Sequence, residues 1–131
     1  MTMNEDYVSY ELALKLKRAG FDEPCIAQWA CEPDGKPFLM GSTAFVFSNA
    51  ELKGRDVTAP LLYHAQKWLR EKKKLHILVD SDLYGKWYYK VFPIGECCID
   101  EGNSNYVTYE QALSAGVSSA LDLLAGKEGE G

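Results

Sequence analysis

Lys67, Arg70, Lys72, Lys73 and Lys74 fall within eight residues, offset only by Glu71, and His76 and the run Lys86-Trp87-Tyr88-Tyr89-Lys90 follow closely. Cations at that density meet phosphates, and rings such as Trp87 and Tyr89 stack on bases, so this is the pattern of a single-stranded nucleic-acid binder. Two observations weigh against it. The chain carries a net charge of −5, whereas nucleic-acid affinity comes largely from neutralised phosphates. The RNP1 pattern of RNA-recognition domains needs a glycine between its base and its aromatics, and Lys86-Trp87-Tyr88 has none. A solvated helix end followed by a strand with rings on a sheet surface is the favoured reading of these residues.

Cys25 or Cys31 with His64 or His76 would make a thiol-imidazole pair, the minimum for a cysteine nucleophile, but no family signature surrounds either thiol. Cys97-Cys98 has the chemistry of a vicinal disulfide or an oxidant sensor, against the simpler reading of two ordinary loop thiols. Positions 25, 31, 97 and 98 give neither a CxxC nor a paired zinc-knuckle spacing. Asp80, Asp82, Asp100 and Glu101 are carboxylates without EF-hand spacing. GxxxxGK[ST], GxGxxG ahead of a helix, GxSxG and HExxH are all missing. No catalytic residue, metal or cofactor is assigned, and a small enzyme with an unrecognised Cys/His or carboxylate site is the least supported function class.

The elements that must position these groups read as helix, hairpin, helix, hairpin, helix. Val8-Ser9-Tyr10-Glu11-Leu12-Ala13-Leu14 returns 99 residues later as Val107-Thr108-Tyr109-Glu110-Gln111-Ala112-Leu113. Ser9 and Thr108 suit an N-cap, and Glu11 and Glu110 suit the positive end of the helix dipole, each worth about 1 kcal/mol or less. The first helix ends at about Ala19, with Gly20 set for a left-handed cap and Phe21 for a contact with Leu16. A second helix is expected from a Thr58 cap with Pro60 in its first turn and an apolar face of Leu61, Leu62, Ala65, Trp68 and Leu69. The third begins at Thr108 and buries Leu113, Val117, Leu121 and Leu124, with a low ridge of Ala112, Ala115, Gly116 and Ser119 that another element can approach closely.

Strand periodicity marks Cys25 to Cys31, Phe38 to Phe47 with a break at Gly41-Ser42, Leu75 to Asp80, and Lys86 to Ile94 with Trp87, Tyr89 and Val91 on one face. Turn formers fill Glu32 to Pro37 and Asp82 to Gly85. The fold expected is α+β and two-layered, an antiparallel sheet of four to five strands built from two hairpins with three helices, in the order α-β-β-α-β-β-α. At offsets of 50 to 52 the two helix-hairpin units can be slid over each other, a match that duplication of an αββ unit or chance sharing of a few glycines and apolar positions would each produce.

The 131 residues, 47% hydrophobic and 25% charged, suit one globular domain over residues 1–125 with a flexible tail at 126–131. Apolar runs such as Ala44-Phe45-Val46-Phe47 are too short to span a bilayer, and the acidic start Met1 to Asp6 is unlike a secretory signal, so a cytoplasmic protein without membrane contact is expected.

Val8 to Ala13, Gly20-Phe21-Asp22-Glu23-Pro24-Cys25, Ala59-Pro60, Ala65 to Lys72 and Tyr109 to Leu113 together resemble a group of small bacterial proteins, some of them prophage-borne, with no established activity. The resemblance covers most of the chain and implies a bacterial or phage origin but no catalytic residue. The leading function is a non-enzymatic accessory or protein-binding module whose partner is another protein or a second copy of itself. If the sheet leaves a face uncovered, Trp87, Tyr89 and neighbouring rings offer the apolar, amphipathic surface that partner interfaces favour.

Overall fold

Ser9 is extended, and its side chain accepts a hydrogen bond from the Leu12 amide (3.2 Å), which starts α1 (Tyr10–Arg18). At the other end Gly20 has φ 99°, its amide donates to Lys17, and the Phe21 amide donates to Leu16. That pair of hydrogen bonds is the Schellman cap expected from the sequence, and it delivers Phe21 into the core at 1% exposure. This computed structural model describes residues 6–41 and 46–130. Ser42, Ala44 and Phe45, assigned above to the second strand and its break, lie outside the described residues, as do Met1 to Glu5 and Gly131.

The chain forms two compact units, Met1–Leu61 and Leu62–Gly131. In the first, β1 (Ala27–Cys31) pairs with β2 (Pro37–Gly41) and with the two-residue strand β3 (Val57–Thr58), in the order β2-β1-β3. In the second, α2 (Leu62–Lys72) precedes β4 (Leu75–Ser81), β5 (Trp87–Pro93) and β6 (Asp100–Glu101), in the order β4-β5-β6, and α3 (Tyr109–Glu130) closes the unit. The α+β class is the one expected, and the element order follows the expected α-β-β-α-β-β-α with a short third strand added after each hairpin. The expected tail 126–131 overlaps the end of α3.

Two expectations are corrected. The single sheet is two sheets of three strands, because a short local segment, β3 or β6, takes an edge of each hairpin. Thr58 does not cap α2. It lies in β3 at 1% exposure, its amide donates to Asn49 Oδ1 (2.9 Å), and the Ala59 amide donates to the Ala27 carbonyl. Pairing with β1 satisfies backbone groups that a helix start would have left open, so α2 begins at Leu62. Leu62, Ala65, Trp68 and Leu69 are buried as predicted, while Leu61 is exposed.

The two hairpins share one register at an offset of 50. Cys31 faces Pro37, and Ser81 faces Trp87. Glu32 donates to the Lys36 carbonyl and Gly35 to Glu32; Asp82 donates to Lys86 and Gly85 to Asp82. Gly35 and Gly85 both have positive φ, 91° and 81°. The third strands break the likeness, since β3 joins the first strand of its hairpin and β6 the second.

Candidate functional site

In the register of β4 and β5, Ile77 opposes Val91, Val79 opposes Tyr89 and Ser81 opposes Trp87, all on one face. Helix α3 covers that face. A Cβ placed on Gly116 would lie 2.6 Å from Ile77 Cγ2 and 3.2 Å from Tyr89 Cβ, so the low ridge predicted on this helix is the point of closest approach. The Trp87 ring meets Tyr109 edge-on at 5.5 Å. Trp87 and Tyr89 are therefore half-buried on the sheet face that α3 covers. The sequence showed that they share a face but not which face the helix would take.

Beside Tyr89 lies a groove of about 490 Å³ lined by Tyr89, Asp100, Tyr106, Ala115, Ser118, Ser119, Asp122 and Leu123. Pairing of Val91 with Asp100 puts the Asp100 carboxylate on the helix side of β6. Both the Tyr89 phenol (3.1 Å) and the Ser119 hydroxyl donate to Asp100 Oδ2. Burial first, and the hydrogen bond to and charge of Asp100 after it, hold the Tyr89 phenol above its ordinary range against the opposing pull of Ser119, so it remains a donor at neutral pH. Gly102 is required here, because a Cβ would come within 2.2 Å of the Tyr89 ring. Two rings, two carboxylates and two serines suit an amphipathic guest with a ring and a hydrogen-bond donor. The Ser119 hydroxyl donates to the Asp100 carboxylate, and the residues lining the groove include no histidine.

The basic run is divided between environments. Lys67, Lys72 and Lys74 are exposed and Arg70 is half-buried, while Lys73 lies over the buried Trp68 ring at 5.5 Å. Lys74 adopts φ 58° directly before β4. His76 points to the other sheet face, stacked on Phe92 at 5.6 Å, and Lys90 lies over Tyr88 on that same face at 5.9 Å. The rings that accompany the cations are thus Phe92 and Tyr88, not Trp87 and Tyr89.

Cys25 and Cys31 belong to the first unit, and His64 and His76 to the second. Burial pushes the Cys25 thiol up to about 11, so it is protonated at neutral pH and a poor nucleophile. Cys97 and Cys98 are exposed, with the Cys98 thiol donating to the Asp100 carbonyl at 3.0 Å. Among the described residues no group of three or more His, Cys, Asp or Glu side chains can hold a metal ion. No helix among them is long and apolar enough to cross a membrane.

Spacing marks the tip of the second hairpin simply as a turn, yet it holds the most exposed large apolar side chains among the described residues. Leu83 is 98% and Tyr84 88% exposed. The corresponding positions of the first hairpin hold Pro33 and Asp34, ordinary turn residues. Asp82 Oδ1 accepts from the Tyr84 amide (2.8 Å) and the Lys86 amide (2.9 Å), which stiffens the tip. Comparing the two turn sequences at offset 50 was the signal that would have found it.

No protein-family profile, curated protein or solved structure matches the chain.

Proposed function

We propose that this chain is a non-enzymatic protein-binding module whose contact element is the tip of the second hairpin. The observation that carries this is the pair Leu83 and Tyr84, extended into solvent on a turn whose geometric twin is built from Pro33 and Asp34. The turn does not need an apolar side chain at either position, and a stiff, exposed Leu-Tyr pair loses little conformational freedom on docking. Tyrosine is among the residue types that dominate interface energies. The sequence resemblance supports a bacterial setting and a phage or mobile-element association, and four free cysteines suit the reducing cytoplasm.

A photo-crosslinking residue placed at Tyr84 is expected to give discrete protein adducts in an extract of the source cells, while the same residue at Asp34 gives none. Equal labelling from both tips, or none from either, would overturn the reading.

A second reading is binding of single-stranded nucleic acid, favoured by the His76-Phe92 stack beside Tyr88, Lys90 and the Lys72 to Lys74 helix end. It predicts that Lys72→Gln/Lys73→Gln/Lys74→Gln weakens oligonucleotide binding and lowers the logarithmic salt slope by roughly 2. Undetectable binding at low salt removes it.

A further inference from the structure

We infer that the free edge of β4 pairs with the same edge of a second copy of this chain, so that two second-unit sheets join antiparallel about Leu78 in the order β6-β5-β4-β4-β5-β6. The inference goes beyond the hairpin-tip reading and uses neither Leu83 nor Tyr84. The Asp82 amide donates to Lys86 and the Ile94 amide to Lys74, so the even-numbered positions of β4 spend their backbone groups on β5. Ile77 and Val79 turn theirs to the opposite edge, where no strand lies among the described residues. Gln66 Nε2 donates to the Ile77 carbonyl at 2.9 Å, which takes one of that oxygen's two lone pairs and leaves the other for an incoming amide.

Edge strands attract further strands, and proteins commonly blunt them with brevity, a bulge or proline. The edge strand of the first hairpin, β2, begins at Pro37 and ends at Gly41. By contrast β4 runs for seven residues in unbroken register with β5 and contains neither proline nor glycine. It has the form of a strand that takes a partner.

The sequence of β4 read against itself identifies that partner. A twofold axis makes the pairing antiparallel, and the free backbone groups are matched when Ile77 of one copy opposes Val79 of the other. That register sets Leu78 opposite Leu78 and His76 opposite Asp80, on the sheet face away from α3. Just beyond the strand ends, Lys74 meets Asp82. Each basic side chain of one copy thus faces an acidic one of the other, and the apolar Leu78, 37% exposed, faces itself. These are the non-hydrogen-bonded positions, where facing side chains come closest. The neighbouring registers, centred on Ile77 or on Val79, set His76 or Asp80 against Leu78 instead. Cross-strand pairs are individually modest, so the association is expected to be concentration-dependent.

Sedimentation equilibrium of the full chain over a series from micromolar to millimolar tests this, and the wild-type chain is expected to associate. Asp80→Lys, which sets a lysine against His76, is expected to weaken association at least about 10-fold, as is His76→Glu, which sets two acids face to face. The double variant His76→Glu/Asp80→Lys is expected to return to within about 3-fold of wild type, because each new glutamate faces a new lysine across the axis. Within one chain the two positions lie about 13 Å apart along the strand, too far to repair each other. Val79→Pro removes an amide that serves no strand within the chain, and it is expected to abolish association while the far-UV circular dichroism stays that of the folded protein.

A wild-type chain that stays monomeric throughout overturns the inference, as does association unchanged by Asp80→Lys or a double variant that associates no better than the single ones. Should Val79→Pro fail to fold, the charge exchange, made at positions outside the core, decides alone. A monomeric chain whose crosslinker at position 84 still captures a protein loses the edge pairing and keeps the tip reading.

Discussion

Asn49→Ala is expected to destabilise the first unit by about 2–4 kcal/mol, more than any surface substitution in it. Asn49 is 7% exposed and its side chain joins the Phe21 segment to β3. Its Nδ2 donates to the Phe21 carbonyl at 2.7 Å, and its Oδ1 accepts from the Thr58 amide at 2.9 Å. Alanine leaves that buried carbonyl and amide without partners, and each unsatisfied group costs about 1–3 kcal/mol. Urea unfolding followed by the fluorescence of Trp29, whose indole donates to the Val8 carbonyl within the same unit, measures the loss.

Asn49→Asp separates the two bonds. A protonated carboxyl can still donate to Phe21 and accept from Thr58, whereas the carboxylate faces a carbonyl oxygen with no proton to share. The folded state then holds the proton more tightly than the unfolded chain, so stability is retained below the ordinary carboxylate range and falls as pH rises through it. An Asn49→Ala protein within about 0.5 kcal/mol of wild type, or an Asn49→Asp protein with no added pH dependence, would show that these bonds are not what fastens Phe21 and β3.

Gly116→Leu is the second large effect, expected to cost the second unit about 3 kcal/mol or to prevent α3 from docking. Ile77 is fully buried, and its Cγ2 lies 2.6 Å from where the first added carbon would sit. A β-branched side chain in a strand has little rotamer freedom with which to retreat. Gly116→Ala is milder because alanine recovers about 1 kcal/mol of helix propensity against the same overlap. Combining Gly116→Ala with Ile77→Ala should cost less than the sum of the separate losses, since the truncated strand makes room for the new methyl. Chemical unfolding of the single and double variants measures the coupling, and strict additivity would show that α3 and β4 do not meet there.

The helix boundaries set by local chemistry were legible. Ser9 and Thr108 cap as read, with the Thr108 hydroxyl accepting from the Gln111 amide at 3.1 Å. Gln111 also accepts from the Val107 amide at 3.0 Å, a return bond that Leu12 cannot make at the matching position of the first copy. The start of α2 was misread because Thr58 and Pro60 do form a good local helix signal. What displaced it was the pairing of Val57 and Thr58 with β1 and the bond to Asn49, partners 9 to 30 residues distant in the chain.

The candidate site was legible only in part. Alternation placed Trp87, Tyr89 and Val91 together on one face, and the basic cluster at the end of α2 followed from spacing alone. Asp100 had been weighed only as a cation ligand and Ser119 only as a small residue. Their meeting with Tyr89 depends on β6 pairing with β5 and on α3 crossing at Gly116, and neither event leaves a periodic trace in the residues involved.

Short-range chemistry in this chain is written in residue type and spacing, because a cap, a tight turn or a two-residue alternation involves groups within a few positions of one another. The three helices, the two hairpins with their common register, and the α+β order are of that kind. Long-range pairing decided the rest, since the choice of sheet edge for β3 and β6 and of sheet face for α3 turns on which surfaces meet best after the local elements exist. That choice set Trp87 and Tyr89, half-buried, against α3, built the groove around Asp100, and left Leu83 and Tyr84 as the large apolar side chains projecting from a turn whose twin carries none.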